Sequence, residues 1–498
     1  MSDDDAGGDR LRRLRQRFEA ATAPAATSLD GRGFTFEAPP SFSAQVGGYV
    51  RVDTADGPML GQVQHHELVR RPGPEVDVGE HRTHLAVGVA TGWGELLDEG
   101  PPFYDAPLVP ARAADVASAF AQHRPARARV TVGDVLRAPG LPLELDAAGF
   151  ARHTFLCGQS GSGKSYALGR VLEQLIAHTE LRIVVLDPNS DCVRLAETRT
   201  DASAAEVDLW RRLAPQIAVR RAGATGDERL RLRFFDLDAR TRAAVLGLDP
   251  LADREEYGAF LDVLEREAAG EPVERLLMDG AAAGVTDPNL SRLVMRVRNL
   301  GLLSWGSWSG VRSDPGLLGD LERDDWRCLV VDLGSVAVPA ERSMVAAAVL
   351  GHLWEHRADR RPVLVVMDEA HNLCPQLPDG PLQRLTTELS VAIAGEGRKY
   401  GLYLLLASQR PQKVHENVLS QCDNLMLMRM ASSGDLEHLV KVVSCAPPTL
   451  AARATTFRMG EALLAGRIVS HPAYVRVGGR FTQEGGGDVP ATWAAPAG

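Results

Sequence analysis

Two rhythms of apolar and polar residues divide the chain. Between about Phe42 and Leu108 short runs alternate, as in Tyr49-Val-Arg-Val, Leu60-Gly-Gln-Val and Leu85-Ala-Val-Gly-Val, and Asp56-Gly57-Pro58 and further glycines separate them. Alternation with period two gives a strand one buried face, and frequent turn residues fold short strands onto each other. Residues 41–110 are therefore expected to form a small β-barrel or sandwich. From Thr154 onward the runs are apolar throughout: Thr154-Phe-Leu-Cys, Arg182-Ile-Val-Val-Leu, Cys328-Leu-Val-Val-Asp, Val363-Leu-Val-Val-Met and Leu402-Tyr-Leu-Leu-Leu. Strands without a polar face must be covered on both sides. Here they alternate with stretches of helical period, such as Lys164–Ala177, Met344–His356 and Pro381–Ala394. That order predicts an α/β domain whose mainly parallel sheet lies between helical layers.

The same patterns set the expected boundaries. Residues 1–40, acidic, then Arg-rich, then rich in Ala, Thr and Pro, read as a flexible lead-in with a short helix over Arg10–Ala20. Residues 111–145 read as a linker that opens with a helix over Ala111–Gln122 and contains Pro139-Gly-Leu-Pro142. The α/β domain is assigned to 146–484, with a helical insertion over about 235–325 where strand patterns vanish. The Gly/Pro/Ala-rich stretch 485–498 reads as a flexible tail.

Composition narrows the class of protein. At 498 residues, two or three domains are expected. With 45% hydrophobic and 24% charged residues the chain has the make-up of a soluble globular protein. The net charge of −10 argues against a broad basic surface, so contact with nucleic acid would need a local basic patch such as a channel lining. Six cysteines, none in a Cys-x-x-Cys pair, are the usage of buried thiols in a reducing cytosol. The acidic start carries no secretory pattern and no apolar run is long enough to span a bilayer, so a cytoplasmic location without a membrane is expected. His65, His66, His81 and His84 lack paired ligand spacing and read as surface or packing residues.

The chemistry begins at Gly158-Gln159-Ser160-Gly161-Ser162-Gly163-Lys164-Ser165, which matches the phosphate loop at every fixed position, with a strand before it and a helix after. Its glycines let backbone N–H groups turn toward phosphates at a helix N-terminus. ATP is thus expected against Gly158–Tyr166, with Lys164 on the β- and γ-phosphates and the Ser165 hydroxyl on Mg²⁺. Val363-Leu-Val-Val-Met-Asp368-Glu369 supplies the second half. An apolar strand ending in two acids delivers Asp368 to the Mg²⁺ shell and Glu369 to the attacking water as general base. Gln409, at the tip of Leu404-Leu-Leu-Ala-Ser408, can hold that water or report the γ-phosphate; strand capping is the plainer role. Arg398, in Gly395-Glu-Gly-Arg398-Lys399-Tyr400-Gly, is either a cation that compensates a helix C-terminus or an arginine finger for a neighbouring subunit's ATP. Arg410 and Arg429 are further candidates for the finger. Asp187, at the start of Asp187-Pro-Asn-Ser-Asp191, supports Mg²⁺ or water, or simply builds the turn. The fold expected from these pieces is a RecA-like P-loop ATPase.

Asp368-Glu-Ala-His371 spells a helicase box, but the long interval from Lys164 and the missing Gln-x-x-Gly-Arg-x-x-Gly-Arg signature exclude a DEAH-type helicase. The sequence instead resembles the HerA branch of the HerA/FtsK superfamily of ring-forming translocases. The resemblance rests on Arg152-His153-Thr-Phe-Leu-Cys-Gly, Leu186-Asp-Pro-Asn-Ser-Asp191 and Asp368-Glu-Ala-His-Asn-Leu-Cys-Pro375. It continues through Gly395-Glu-Gly-Arg-Lys-Tyr-Gly401, Ser408-Gln-Arg-Pro411, Val418-Leu-Ser-Gln-Cys422 and the last strands after Gly460. Asp191 stands where the family more often has Glu. The resemblance covers about residues 40–485. It implies a homohexamer that threads double-stranded DNA through a central channel, with ATP at subunit interfaces and the Arg398 loop completing the neighbour's site. It also implies a partner nuclease or other effector enzyme, in DNA end processing or anti-phage defence. Two other readings compete. One is a nucleotide-gated ring scaffold that activates a partner effector, with DNA movement incidental; the other is a secretion-type ATPase at a membrane.

Overall fold

The computed structural model describes residues 3–78, 81–122, 128–271, 277, 287–308 and 316–486. A helix, Asp3–Ala21, leads into six strands: β1 (Ala25–Ser28), β2 (Gly33–Ala38), β3 (Tyr49–Thr54), β4 (Gly57–Val78), β5 (His81–Leu96) and β6 (Phe103–Pro110). They close into a barrel in the order β1-β2-β5-β4-β3-β6, with β1 paired to β6. Phe34, Phe36, Val50, Val52, Val63 and Leu108 fill its interior. Beyond the barrel β4 and β5 run on as a two-stranded ribbon. The leading helix lies against it, and Glu19 accepts a hydrogen bond from the Gly88 amide at 2.7 Å.

The strand-rich unit thus starts at Ala25, not at residue 41, and the lead-in shrinks to the helix and a short connection. Strand β1, Ala-Ala-Thr-Ser, has no apolar alternation to show. In β2 the inward residues Phe34, Phe36 and Ala38 do alternate, but within a stretch whose composition resembles a linker.

Eleven strands form the main sheet: β7 (Arg129–Val135), β8 (Pro142–Asp146), β9 (His153–Cys157), β10 (Arg182–Asp187), β11 (Ile217–Arg221), β12 (Cys328–Asp332), β13 (Val363–Met367), β14 (Leu402–Ser408), β15 (Cys422–Met428), β16 (Glu461–Gly466) and β17 (Ala473–Val477). Their order is β11-β12-β10-β13-β14-β9-β15-β16-β17-β7-β8. The stretch from β11 to β15 is parallel, and from β15 through β8 each pair is antiparallel, so the sheet is mixed. The expected linker 111–145 is corrected accordingly. It holds a helix, Ala113–Gln122, but also β7 and most of β8, which extend the sheet because Gly133–Val135 pairs with Val475–Val477.

Two apolar layers flank the sheet. One takes in Phe155, Val184 and Met367 with Met344–Leu350 and Leu382–Ile393 of two helices, Pro339–Glu355 and Gly380–Glu396. The other takes in Leu156, Val185 and Val366 with Ala167–Ile176 of the helix Lys164–His178. Successive residues of each buried strand therefore feed opposite layers, which is why these strands carry no polar face. Between 235 and 325 the described residues form helices, Ala239–Val245, Arg254–Ala268, Pro288–Asn299 and Gly316–Glu322, packed on the first layer through Phe260, Leu293 and Val297. Parts of the insertion (272–276, 278–286 and 309–315) and the tail from 487 lie outside the described residues. The barrel docks on the far end of the sheet: Gln62 Nε2 donates to the Pro472 carbonyl at 2.9 Å, and Thr449 Oγ1 donates to Gln64 at 2.7 Å.

Register is what builds the site. Asp187 lies opposite Asp332, Leu186 opposite Met367, Met367 opposite Leu406, and Ser408 opposite Cys157. The carboxyl ends of β10, β13, β14 and β9 therefore finish in one row, the edge at which open α/β sheets bind ligands.

Candidate active site

The phosphate loop leaves β9 and runs into the helix Lys164–His178. Gly161 (φ 71°) and Gly163 (φ 93°) hold left-handed backbone that side chains rarely adopt. Gly163 is the N-cap and offers no capping side chain, so the first amides of the helix stay free for an anion. Gly158 has no room for more: a Cβ there would stand 2.6 Å from Ser162 Oγ and 2.8 Å from Met428 Cβ. Beside the loop opens a cleft of about 600 Å³, lined by the loop, Tyr166, Asp191, Gln409, Gly460 and Glu484 among others. Tyr166 is fixed from behind, because its hydroxyl accepts from the Arg480 amide at 2.6 Å.

The two acids meet this loop. Lys164 Nζ stands 2.5 Å from Asp368 Oδ1 and 3.1 Å from Glu369 Oε1, and all three side chains are buried. Strand β14 lies between β9 and β13, so its tip inserts Ser408 and Gln409 between the loop and the acids. Gln409 Nε2 donates to Glu369 Oε1 at 2.9 Å. His371 Nδ1 lies 3.2 Å from Glu369 Oε2 and 3.1 Å from Ser408 Oγ. Glu369 itself has φ 44°, a left-handed backbone that costs a non-glycine residue about 1–3 kcal/mol and is tolerated where the surroundings dictate it.

The electrostatics follow from burial and pairing. Burial opposes ionisation of Glu369, but His371, the Lys164 ammonium and Gln409 outweigh it and bring its pKa to about 2. Burial also works against the Lys164 charge, yet Asp368 and Glu369 raise its pKa. Asp187 behaves in the opposite way. Burial first, then the like charge of Asp368, lifts it to about 7, against the amides of Cys192 and Asp191 that donate to it.

Among the described residues, Asp368 Oδ2 and Ser162 Oγ in this buried cluster have no hydrogen-bond partner, and Glu369 Oε2 has only the His371 contact. A buried carboxylate oxygen left unpaired costs about 1–3 kcal/mol or more, and a cation beside it would remove that cost. Asp368 and the Ser165 hydroxyl are the groups that could hold Mg²⁺, and the free loop amides with Lys164 fit a triphosphate. Of the residues expected from sequence, Gly158–Tyr166, Asp368, Glu369 and Gln409 come together here, and Asp187 stands behind them.

Arg398 does not. It sits in the turn Gly397–Tyr400, ahead of β14, whereas the cleft lies past the other end of that strand. Seven residues of strand separate the two, roughly 20 Å at about 3.3 Å per residue. There Arg398 Nη1 pairs with Asp423 at 2.8 Å. Arg410 follows Gln409 and is exposed. Arg429 lies over the phosphate loop of its own chain, with Nη2 3.4 Å from the Gly161 carbonyl. Sequence reasoning missed three polar neighbours of the site. Asp191, which hydrogen-bonds Ser165, was visible only as part of a strand-end motif. His371 had a signal in its place after the acid pair. Glu484 had none, because the segment 480–486 reaches the cleft by tertiary docking: Glu173, buried on the phosphate-loop helix, accepts from the Phe481 and Thr482 amides.

Comparison with known proteins agrees with this geometry. The family model described as "Helicase HerA, central domain" matches residues 130–274, across the phosphate loop. The DNA double-strand break repair helicase HerA of Pyrococcus furiosus is 24% identical over 390 residues, covering 70% of this chain and 69% of that protein. The HerA of Sulfurisphaera tokodaii is 31% identical over 156 residues, but these are only 30% of this chain and 31% of that protein. Among solved structures, the bacterial conjugative coupling protein TrwB aligns with a TM-score of 0.49 and 13% identity, over 78% of this chain and 97% of that one. A likeness at that level decides nothing about function. Among the described residues no helix is long and apolar enough to cross a membrane. With a phosphate loop and an acid pair joined at one sheet edge, this chain is a P-loop ATPase similar to the HerA helicases.

Proposed function

We propose that this chain is the subunit of a ring-shaped, RecA-like motor that moves double-stranded DNA at the expense of ATP and works with a partner nuclease or other effector enzyme in DNA end processing or anti-phage defence. The observation that carries the reading is Lys164 closed on both Asp368 and Glu369 in a chain similar to DNA repair helicases.

In this mechanism Gly158–Tyr166 cradle the phosphates, and Lys164 leaves the acids to reach them. Ser165 and Asp368 would hold Mg²⁺, which would supply charge neutralisation for the transferring phosphoryl group. Once Lys164 has moved, Glu369 loses an ammonium that kept it a weak base. Held by Gln409 and His371, it then takes a proton from the attacking water. Asp191 steadies the Ser165 hydroxyl. Arg398 lies too far from its own cleft to act there, which supports service to the ATP of an adjacent subunit.

The test is ATP hydrolysis with and without duplex DNA over a range of salt, with sizing in ATP. DNA-stimulated turnover, a ring-sized particle and binding that weakens steeply with salt are expected. Duplex DNA that neither binds nor stimulates would refute the motor reading. The net charge of −10 favours the alternative, a nucleotide-gated scaffold for a partner effector. On that alternative, Glu369→Gln would keep partner activation while stopping turnover.

A further inference from the structure

At the sheet edge opposite the ATP cleft, three side chains converge that the ATPase chemistry does not use. His352 and His356 stand one turn apart at the end of the helix Pro339–Glu355, with ring centroids 4.2 Å apart. Glu322 ends the helix Gly316–Glu322 and brings Oε1 to 3.8 Å from His352 Nε2. One ligand atom from each of the three lies within 4.8 Å of the others. They border a cleft of about 300 Å³.

We infer that Glu322, His352 and His356 form a binding site for a divalent transition ion of the Zn²⁺ type. Two imidazoles and a carboxylate are a donor set that zinc accepts, at about 2.0–2.2 Å per bond. Spacing i, i+4 on a helix puts both imidazoles on one face. His356 Nδ1 lies 2.9 Å from the His352 carbonyl. A carbonyl only accepts, so Nδ1 carries the proton and Nε2 keeps its lone pair. That is the outer hydrogen bond that orients a metal-binding histidine. Glu322 is exposed and free to swing the remaining ångström or so. The cations of the cleft are engaged elsewhere: Arg182 lies on the Trp326 ring, Arg361 pairs with Asp324, and Arg357 donates to the Trp354 carbonyl.

The sequence His352-Leu-Trp-Glu355-His356 has the order of the inverted zinc-peptidase motif, in which the glutamate is the base. Here Glu355 does not line the cleft, and its charged neighbours are Asp238, His356 and Arg242. The site is therefore one for binding, not peptide hydrolysis. Its position suggests what the ion does. Arg357, directly after His356, stacks on Trp354 and reaches over Tyr400, the last residue of the turn that carries Arg398. An ion here pins the helix end to Glu322 and stiffens the seat of that turn. Histidines in a last helical turn also compensate its dipole, but that role needs no third ligand and takes up no metal.

The experiment titrates Co²⁺ into the untagged, full-length chain in saturating Mg²⁺. One Co²⁺ per chain with visible absorption, displaced by Zn²⁺ and not by Mg²⁺, is expected. His352→Gln and His356→Gln should each weaken binding at least tenfold, while Lys164→Ala should leave it unchanged. No stoichiometric Co²⁺ in the wild-type chain would overturn the inference even if the variants fail to fold. So would binding that survives both histidine substitutions, or binding that Lys164→Ala abolishes.

Discussion

Removing the Lys164 ammonium tests the electrostatics of the site apart from its turnover. Lys164 is the only cation within ion-pair distance of Asp368 among the described residues, and it also pairs with Glu369. In Lys164→Ala two adjacent buried carboxylates lose that charge. Leaving one partner of a buried pair uncompensated costs about 3–5 kcal/mol, or roughly 6–10 °C in Tm at about 2 °C per kcal/mol for a core of this size. The loss must depend on pH. In the intact protein Glu369 is lowered to about 2 from an unfolded value of 4.5, so its pairing is fully present above pH 4.5 and vanishes as the pH falls through about 2. In the variant the burial of Glu369 is opposed only by His371 and Gln409, so part of that depression is lost. The deficit should therefore be full from pH 8 down to about pH 4.5 and shrink as the pH falls toward about 2. Thermal unfolding of both proteins without nucleotide, followed across that range, measures it. A Tm at pH 8 equal to that of the wild type, or a deficit that ignores pH, would refute the account.

Other substitutions separate the roles of neighbouring groups. Glu369→Gln keeps the shape of the base but not its basicity, so ATP should still bind while turnover falls about 10²–10⁴-fold, read by nucleotide binding beside phosphate release. Arg398→Ala should spare binding and lower turnover by about 10³–10⁵, and mixing it with Glu369→Gln subunits should restore part of the rate. Asp423→Asn, which removes the acid that pairs with both Arg398 and Arg152, should leave turnover nearly intact; a loss as deep as that of Arg398→Ala would make the arginine a structural cation. Gly158→Ala forces a methyl group against Ser162 and Met428 and should destabilise by about 1–3 kcal/mol, with weaker ATP binding in equilibrium titration.

The chain alone determined those features whose cause is local. An apolar run with no polar face must lie between two layers, so β9, β10, β12, β13 and β14 could be read residue by residue. A phosphate loop needs its glycines and its lysine at set intervals, so Gly158–Ser165 declared itself, as did the acids that end β13. Tertiary structure decided what depends on distant partners. Strands β7 and β17 pair although about 340 residues lie between them, so β7 read as linker. Ala25–Ser28 is a strand only because β2 and β6 flank it. The register of four strand tips, not any motif, set Lys164 between two carboxylates and left Arg398 at the far edge. Glu484 and the Glu322–His352–His356 cluster depend on docking between segments that carry no shared pattern. Local sequence dictates which backbone conformation and burial each segment prefers, whereas the meeting of side chains from separate segments is settled only when those segments pack together.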